Sequence, residues 1–354
     1  MARPGGNLRS YRLTLMSPLK LGILDQVPLP EDGGTTQAFT NSIELARHAD
    51  DFGYHRYWIA EHHASNRLAS PSPEILIARL GAETRRIRVG SGGVMLSHYS
   101  PFKVAENFRM LEVMYPGRVD LGVGRAPGSD GLTMAALAYG NRLGLEYYPT
   151  KVGDLLAFLG GQPPLTDAFA RLRVSPAADG MPEIWLLASS ADSAGFAAQL
   201  GIPLCFAHFI SPQQTLDVVR GYRSSFRPGY RDTPQVSIGI AAFCSEDPDR
   251  VELHLRQREL QRQRRATGNP KPVTLDEAAS HPFSDVEIQA MRTRRSRYVI
   301  GDPDEVRQQI ETLAKDTGAE EFILLTNTGQ EERINSYRLI AEAFALDSAT
   351  QTPN

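Results

Sequence analysis

Four places in the chain set side chains suited to chemistry at the end of an apolar run. The first is Tyr57-Trp58-Ile59-Ala60, which stops abruptly in Glu61-His62-His63. One carboxylate and two imidazoles suit proton transfer, hydrogen bonding to a ligand, or metal ligation. Adjacent residues of an extended segment point to opposite sides, so His62 and His63 cannot share one pocket without a kink. One of them is then functional and the other a packing residue. A second site is Gly92-Gly93, where the absence of side chains lets a flat ring lie against backbone, although a plain bulge accounts for the glycines equally well. The third is Arg125, a fixed charge in the turn Gly124-Arg125-Ala126-Pro127-Gly128, which suits a phosphate monoester or a simple surface ion pair. The fourth is the turn at Ser190, which can cap a helix while the amides of Ala191, Asp192 and Ser193 face an anion. Asp192 would oppose such an anion unless its side chain turns outward.

These groups need elements to carry them. Strands are expected at 19–24, 57–60, 87–91, 118–123, 183–188, 203–209, 236–243 and 321–325, with helical segments between nearly all of them. Thr35 or Thr36 is expected to cap a helix that ends before Gly53, and Ser72-Pro73-Glu74 and Pro101 open two more. Before the last strand, Asp302, Pro303 and Glu305 form a capping box, Val306, Ile310 and Leu313 a stripe, and Gly318 a stop. Eight alternations point to an α/β fold, a (β/α)8 TIM barrel. It has an elaborated connection after strand 4 and a long insertion, 244–297, between strands 7 and 8. The insertion crowds Arg256, Arg258, Arg262, Arg264 and Arg265 into one helical stretch, read either as a solvated helix with a mobile loop or as a lid over the barrel mouth.

Barrels carry their chemistry at the C-terminal ends of the strands. That rule gathers Asp25, Gln26, Glu61, His62, Ser91, Gly92, Gly93, Gly124, Arg125, Ser189, Ser190 and His208 around one opening. Arg125 and the Ser190 turn follow neighbouring strands, so they can hold one phosphate together.

Composition narrows the classes further. The 354 residues, 41% of them hydrophobic, are enough for a large core. A net charge of -3 argues against general attraction to nucleic acid or anionic membrane. The two cysteines, Cys205 and Cys244, stand apart inside apolar runs, which fits a reducing cytoplasm rather than a disulfide framework. No apolar stretch of about 18 residues suggests a spanning helix. The barrel domain is expected over 17–347, between a flexible extension at 1–16, which leaves Met16 as an alternative start, and a flexible tail at 348–354.

The ordered motifs Trp-Ile-Ala-Glu-His-His, Val-Gly-Ser-Gly-Gly-Val-Met-Leu, Pro-Gly-Arg-Val-Asp-Leu-Gly-Val-Gly-Arg-Ala-Pro-Gly, Ile-Trp-Leu-Leu-Ala-Ser-Ser and Gly-Asp-Pro-Asp-Glu-Val resemble the bacterial luciferase-like flavin monooxygenases. The resemblance is to their single-polypeptide, non-luminous branch. It implies a barrel that binds reduced FMN from a separate NAD(P)H-dependent flavin reductase. With O2 that flavin would form a C4a-(hydro)peroxide and oxygenate a small organic substrate. On this resemblance His62 matches the catalytic histidine and Glu61 its neighbouring acid. Ser91, Gly92 and Gly93 match the flavin-facing segment, commonly a non-proline cis peptide. Arg125 matches the phosphate arginine, and Ala188, Ser189, Ser190 and Ser193 the turn on the phosphate side. Gln26, His98, Tyr99, Gly124 and His208 then surround the substrate, and a homodimer is expected. Gly124 stands where the luminous enzymes carry a reactive cysteine, and Leu96-Ser97-His98-Tyr99 replaces a commoner Leu-Pro pattern, so light emission is not implied. Rival readings are a deazaflavin-dependent dehydrogenase, a flavin-binding protein without turnover, and a His/Glu metal hydrolase.

Overall fold

The structure is a computed structural model that describes residues 18–30, 33–126, 130–140, 145–268 and 271–346. The expected N-terminal extension with Met16, the C-terminal tail, and Pro127 and Gly128 of the Arg125 turn lie outside the described residues. Among the described residues there are nine strands: β1 (Lys20–Asp25), β2 (Arg56–Ile59), β3 (Arg88–Met95), β4 (Val119–Gly124), β5 (Glu183–Ala188), β6 (Leu204–Ala207), β7 (Val236–Cys244), β8 (Val299–Gly301) and β9 (Glu321–Leu325). Eight of them pair in parallel in the order β1-β2-β3-β4-β5-β6-β7-β9, and β9 pairs back onto β1. The ring is closed, so the fold is the expected (β/α)8 barrel.

The ninth strand, β8, was not anticipated. Among the described residues it pairs only with the C-terminal end of β7, Val299 opposite Ala242 and Gly301 opposite Cys244. Three residues are too few for a periodic signal, and the arginines before them obscure the apolar pair. The sixth strand is shorter than expected and ends at Ala207, leaving His208 just beyond it. The helix expected from a threonine cap instead begins at Gly34, with Gly33 as its uncapped N-terminal boundary, and takes Thr35 and Thr36 into its first turn. The capping box before the last barrel strand forms as read, with Asp302 and Glu305 bonding reciprocally and Gly318 closing the helix Pro303–Thr317.

Strand alternation explains what fills the barrel. Near the N-terminal ends of the strands, Arg56 is held by Glu321 at 2.5 Å, Asp120 at 2.7 Å and Glu183 at 3.4 Å. The Arg56 guanidinium also lies 5.4 Å from the ring of Trp58 and 4.9 Å from that of Trp185, and the two indole N–H groups donate to Asp120 and Glu183. Burial pushes the Glu183 carboxyl up, but Arg56, Arg88 and Arg231 together bring it down to about 2. The next layer packs Leu24, Trp58, Trp185, Cys205 and Ile323. Above it, alternation brings small residues inward: Ala60 just past β2, Gly124 on β4, Ala207 on β6 and Ala241 on β7. A side chain added at Gly124 would meet nothing within 4 Å. The lower barrel is therefore full, and room for a ligand is left at the C-terminal mouth.

The insertion is neither a solvated helix nor a bare loop. Its helices Pro248–Ala266, Leu275–Ser280 and Asp285–Arg295 form two small cores. One joins Phe243, Val251, Leu255, Met291 and Ile300, the other Leu260, Val273 and Ala278. Glu259, read from sequence as an interruption in a basic stretch, is buried and accepts from both Arg262 and Arg294. The unit is rooted at the C-terminal end of β7 and so belongs to the mouth side of the barrel.

Replacing Arg56 with Met would leave Glu321 buried with no ion-pair partner among the described residues, and Asp120 held by Arg88 alone. Breaking a buried ion pair costs about 3–5 kcal/mol, so urea unfolding of R56M is expected to show a loss of that size.

Candidate active site

Alternation continues past the end of β2. Arg56, Trp58 and Ala60 face the barrel interior, so the same parity sends His62 inward and Glu61 and His63 outward. The hydrogen bonds agree. Glu61 Oε1 accepts from His63 Nε2 at 2.6 Å and from the Tyr99 hydroxyl at 2.8 Å, while Oε2 accepts the Met95 N–H at 2.9 Å. Glu61 is thus a buried hub that ties the end of β2 to the end of β3, and it makes no bond to His62. Its expected role as an acid beside His62 is replaced by one as the partner of His63. His62 is half-buried and its Nδ1 meets no hydrogen-bond partner among the described residues. Burial, helped by the charge of His63, lowers its pKa below the usual imidazole value.

Gly92-Gly93 is a cis peptide, as the resemblance implied. A Cβ on Gly92 would come within 2.7 Å of Leu24 Cδ1 and 2.9 Å of Trp58 Cβ, so packing inside the barrel is one reason for glycine there. Ser91 spends its hydroxyl on the Gly122 carbonyl, which leaves only its backbone for a ligand. His98 and Tyr99 follow β3 and line a cleft of about 330 Å³ with Glu74, Lys103 and Asn107. Burial and the neighbouring Glu61 push the Tyr99 phenol up, keeping it a donor.

On the neighbouring strands of the ring, Gly124 pairs with Met95 of β3 and with Leu187 of β5, which brings Arg125 beside Ala188 and Ser189. Arg125 has no carboxylate partner among the described residues. It lies near the buried Tyr148, whose phenol is pushed up by burial and partly brought back by the arginine's charge. Ser190 is the N-cap of the helix Ala191–Gln199 and makes no side-chain cap bond, its hydroxyl lying 3.5 Å from that of Ser193. Asp192 is exposed, so the carboxylate that would have opposed an anion does turn outward. A guanidinium and the first amides of a helix thus stand on adjacent strand ends, an arrangement suited to a phosphate.

Three further residues fall elsewhere. Gln26 accepts from Asn327 at 3.1 Å on the β1 and β9 side of the mouth. His208 is bonded through Nδ1 to Thr215 Oγ1 at 2.8 Å, with its pKa lowered by burial, so one of its ring nitrogens is already engaged. Asp25 does not face the opening. It lies outside the barrel wall, bonded to Ser42, Tyr57 and Arg333, because outward parity aims it at the helix layer. Two residues that the sequence reading missed are Tyr148 and Lys151, whose Nζ donates to the carbonyls of Ser97 at 2.7 Å and Tyr99 at 3.1 Å. Their i,i+3 spacing on one helix face was the available signal. Among the described residues, no group of three or more His, Cys, Asp or Glu could hold a metal ion, and no helix is long and apolar enough to cross a membrane.

The fold brings a guanidinium, a helix N-terminus and an imidazole whose Nδ1 has no partner among the described residues to the C-terminal ends of the barrel strands. Residues 19–146 and 159–321 match the family model described as luciferase-like monooxygenase, and the chain belongs to that family. It is 33% identical over 329 residues to N-acetyl-S-alkylcysteine monooxygenase of Bacillus subtilis (strain 168), covering 92% of this chain and 98% of that protein. It is 25% identical over 350 residues to the oxygenase component of a flavin-dependent trigonelline monooxygenase of Acinetobacter baylyi, covering 89% of this chain and 91% of that one. The structure of apo-MsnO8 superposes with a TM-score of 0.84 at 40% identity, covering 95% of this chain and 100% of that one.

A depressed imidazole pKa carries a definite sign. The unfolded chain takes up the proton first, so the contribution of His62 to stability is present above about pH 6.5 and is lost as the pH falls. An NMR titration is expected to place the His62 midpoint below about 6.5; a midpoint at or above that value contradicts the geometry described.

Proposed function

We propose that the chain is the oxygenase of a two-component system that uses reduced FMN and O2 to oxygenate a small organic substrate. The observation that carries this reading, within the luciferase-like family, is the buried and unpartnered Nδ1 of His62 on the inward side of β2. Arg125 and the amides at Ser190 to Ser193 would hold the phosphate, and the backbone of Gly92, Gly93, Ala188 and Ser189 the flavin ring. Bound reduced FMN would supply the electrons that activate O2, one oxygen atom going to the substrate and the other leaving as water. His62, kept neutral by its surroundings, would hold or move a proton at Nδ1. Glu61 is a positioning residue that fixes the end of β3 against that of β2. The full barrel floor and the small upper layer would keep the reaction at one closed end. A separate NAD(P)H-dependent reductase would deliver the flavin, in the cytoplasm, to a homodimer built from the 17–347 domain.

Mixing the protein anaerobically with reduced FMN and then admitting oxygen is expected to delay the return of oxidised-flavin absorbance relative to free FMN. Equal rates, or tight binding of a reduced deazaflavin alone, reject the proposal. Removing a general acid or base costs about 10²–10⁴ in rate, so H62N should retain reduced-FMN affinity within about twofold and lose substrate oxygenation by at least a hundredfold. R125Q is expected to weaken FMN binding about tenfold or more, as loss of a charge-assisted bond worth about 1.5–3 kcal/mol requires. Fluorescence titration of FMN measures both affinities.

A further inference from the structure

The end of β6 turns two neighbouring rings to opposite sides of the barrel wall. The His208 N–H donates to the Phe206 carbonyl at 2.9 Å, a tight turn that ends the strand. The His208 ring goes outward and is buried against Thr215, the first residue of the helix Thr215–Ser225. Phe209 takes the inward place. Its ring packs with Leu187 against the inner layer that holds Trp58, Trp185 and Cys205. Its N–H donates to the Gly239 carbonyl of β7 at 3.1 Å, so the backbone that carries the ring is pinned to a second strand.

The strand beside it makes room for that ring. Ile238 and Ile240 pack outward with the helix layer, which leaves Gly239 facing the interior. A Cβ on Gly239 would come within 3.1 Å of Phe209 Cε1, so the glycine clears the space in which the ring lies. The ring is not covered on all sides. At the ends of β5 and β6 the inward Leu187, Ala207 and Phe209 are half-buried, whereas the outward Leu186, Phe206 and His208 are buried. Exposure on the inner face of a closed ring means that these side chains open onto the mouth.

Ring order says what Phe209 faces. In the closed ring of eight, β6 stands four strands from β2, and β7 four strands from β3. Phe209, carried by β6 and pinned to β7, therefore looks across the mouth to the strand ends that carry His62 and Gly92-Gly93. One wall offers backbone and an imidazole, the other an aromatic face. The interior of an eight-stranded barrel is wide enough only for side chains or one small ligand, so a ring that fills part of it sets what else fits.

We propose that Phe209 is the specificity-determining residue of this mouth, an apolar wall against which the substrate lays a small hydrophobic group while its reacting part faces His62. An aromatic face takes flat or aliphatic groups through offset contact and burial of apolar surface. It offers no strong hydrogen bond, so a charged or polar group set against it would lose water without a replacement. The identity of the ligand as substrate rests on the reading of the mouth as an oxygenase site; the apolar wall itself does not.

The test uses the full chain with benzyl alcohol and 2-naphthalenemethanol as probes, and FMN affinity measured on the same samples. NMR of the wild-type chain is expected to show saturable binding of benzyl alcohol, tighter than that of the larger alcohol, with Overhauser contacts from the probe to the Phe209 ring. F209A opens the wall and should weaken benzyl alcohol about threefold or more, the size of an aromatic contact. The same variant should tighten the naphthyl probe about tenfold or more, as a change of pocket volume does. F209L keeps most of the apolar volume; it should fold where F209A does not, and bind both probes with affinities between those of the other two. I210A, at the exposed neighbouring position, should leave both probes within about twofold. FMN affinity should stay within about twofold in every variant. Absence of benzyl alcohol binding, probe contacts elsewhere in the chain, or the same preference in the wild type and the Phe209 variants overturns the wall, while FMN binding leaves the proposed function standing. Loss of FMN affinity in the Phe209 variants also overturns it, by setting the ring against the cofactor. Failure of FMN to bind the wild-type chain, with the change of probe preference intact, would reject the flavin reading and retain the wall.

Discussion

A single guanidinium organises the lower half of this barrel. Arg56 sends its five donors into a space surrounded by Asp120, Glu183 and Glu321, under two tryptophans that leave almost no water there. Taking these charges out of water is expensive, and only close, multiple hydrogen bonding offsets the cost. Arg88 and Arg231 bring the local count to three cations against three carboxylates. A charged floor of this kind is less stabilising than an apolar one of the same volume, but it admits few alternative packings. Its consequence lies higher up: with the floor filled by large side chains, the small residues of the upper layer leave inward room at the strand ends.

The end of β2 shows how the pleat sorts chemistry from support. Glu61 and His63, two residues apart, fall on the outer side and satisfy each other together with Tyr99. His62, between them, is left inward with its Nδ1 unpartnered among the described residues. Burying an imidazole with an unsatisfied nitrogen costs stability, and the same lack of a partner keeps that nitrogen available to a ligand. The outer pair contributes rigidity by holding Met95 N–H, which fixes the course of β3 just after Gly92-Gly93.

The mouth has two unlike rims. At the ends of β4 and β5, a guanidinium and a helix N-terminus stand on short, regular elements. Past the end of β7, the insertion builds its own small cores. Elements packed on the barrel hold a ligand in constant geometry, whereas a separately folded unit on one strand end can vary without disturbing the ring. That division suits a barrel in which one ligand is constant and the other is specific to the protein.

Much of the architecture was legible from local pattern alone. Eight apolar runs of strand length, the helices between them, and the Asp302-Pro303-Glu305 cap depend on residues within a few positions of one another, and all were found near their expected bounds. The strand-end placement of His62, Gly92-Gly93, Arg125 and Ser190 followed from the same order of elements. What only the tertiary structure decided depends on partners far apart in the chain. Arg56 meets Glu321 across 265 positions and Asp25 meets Arg333 across 308, β8 exists only because the end of β7 offers it an edge, and Glu61 finds Tyr99 rather than His62. The sequence determined which residues reach the mouth, because periodicity and caps act locally; closure of the ring decided which of them are left without partners there, because a charge or a hydrogen bond is satisfied by whatever folding brings near it.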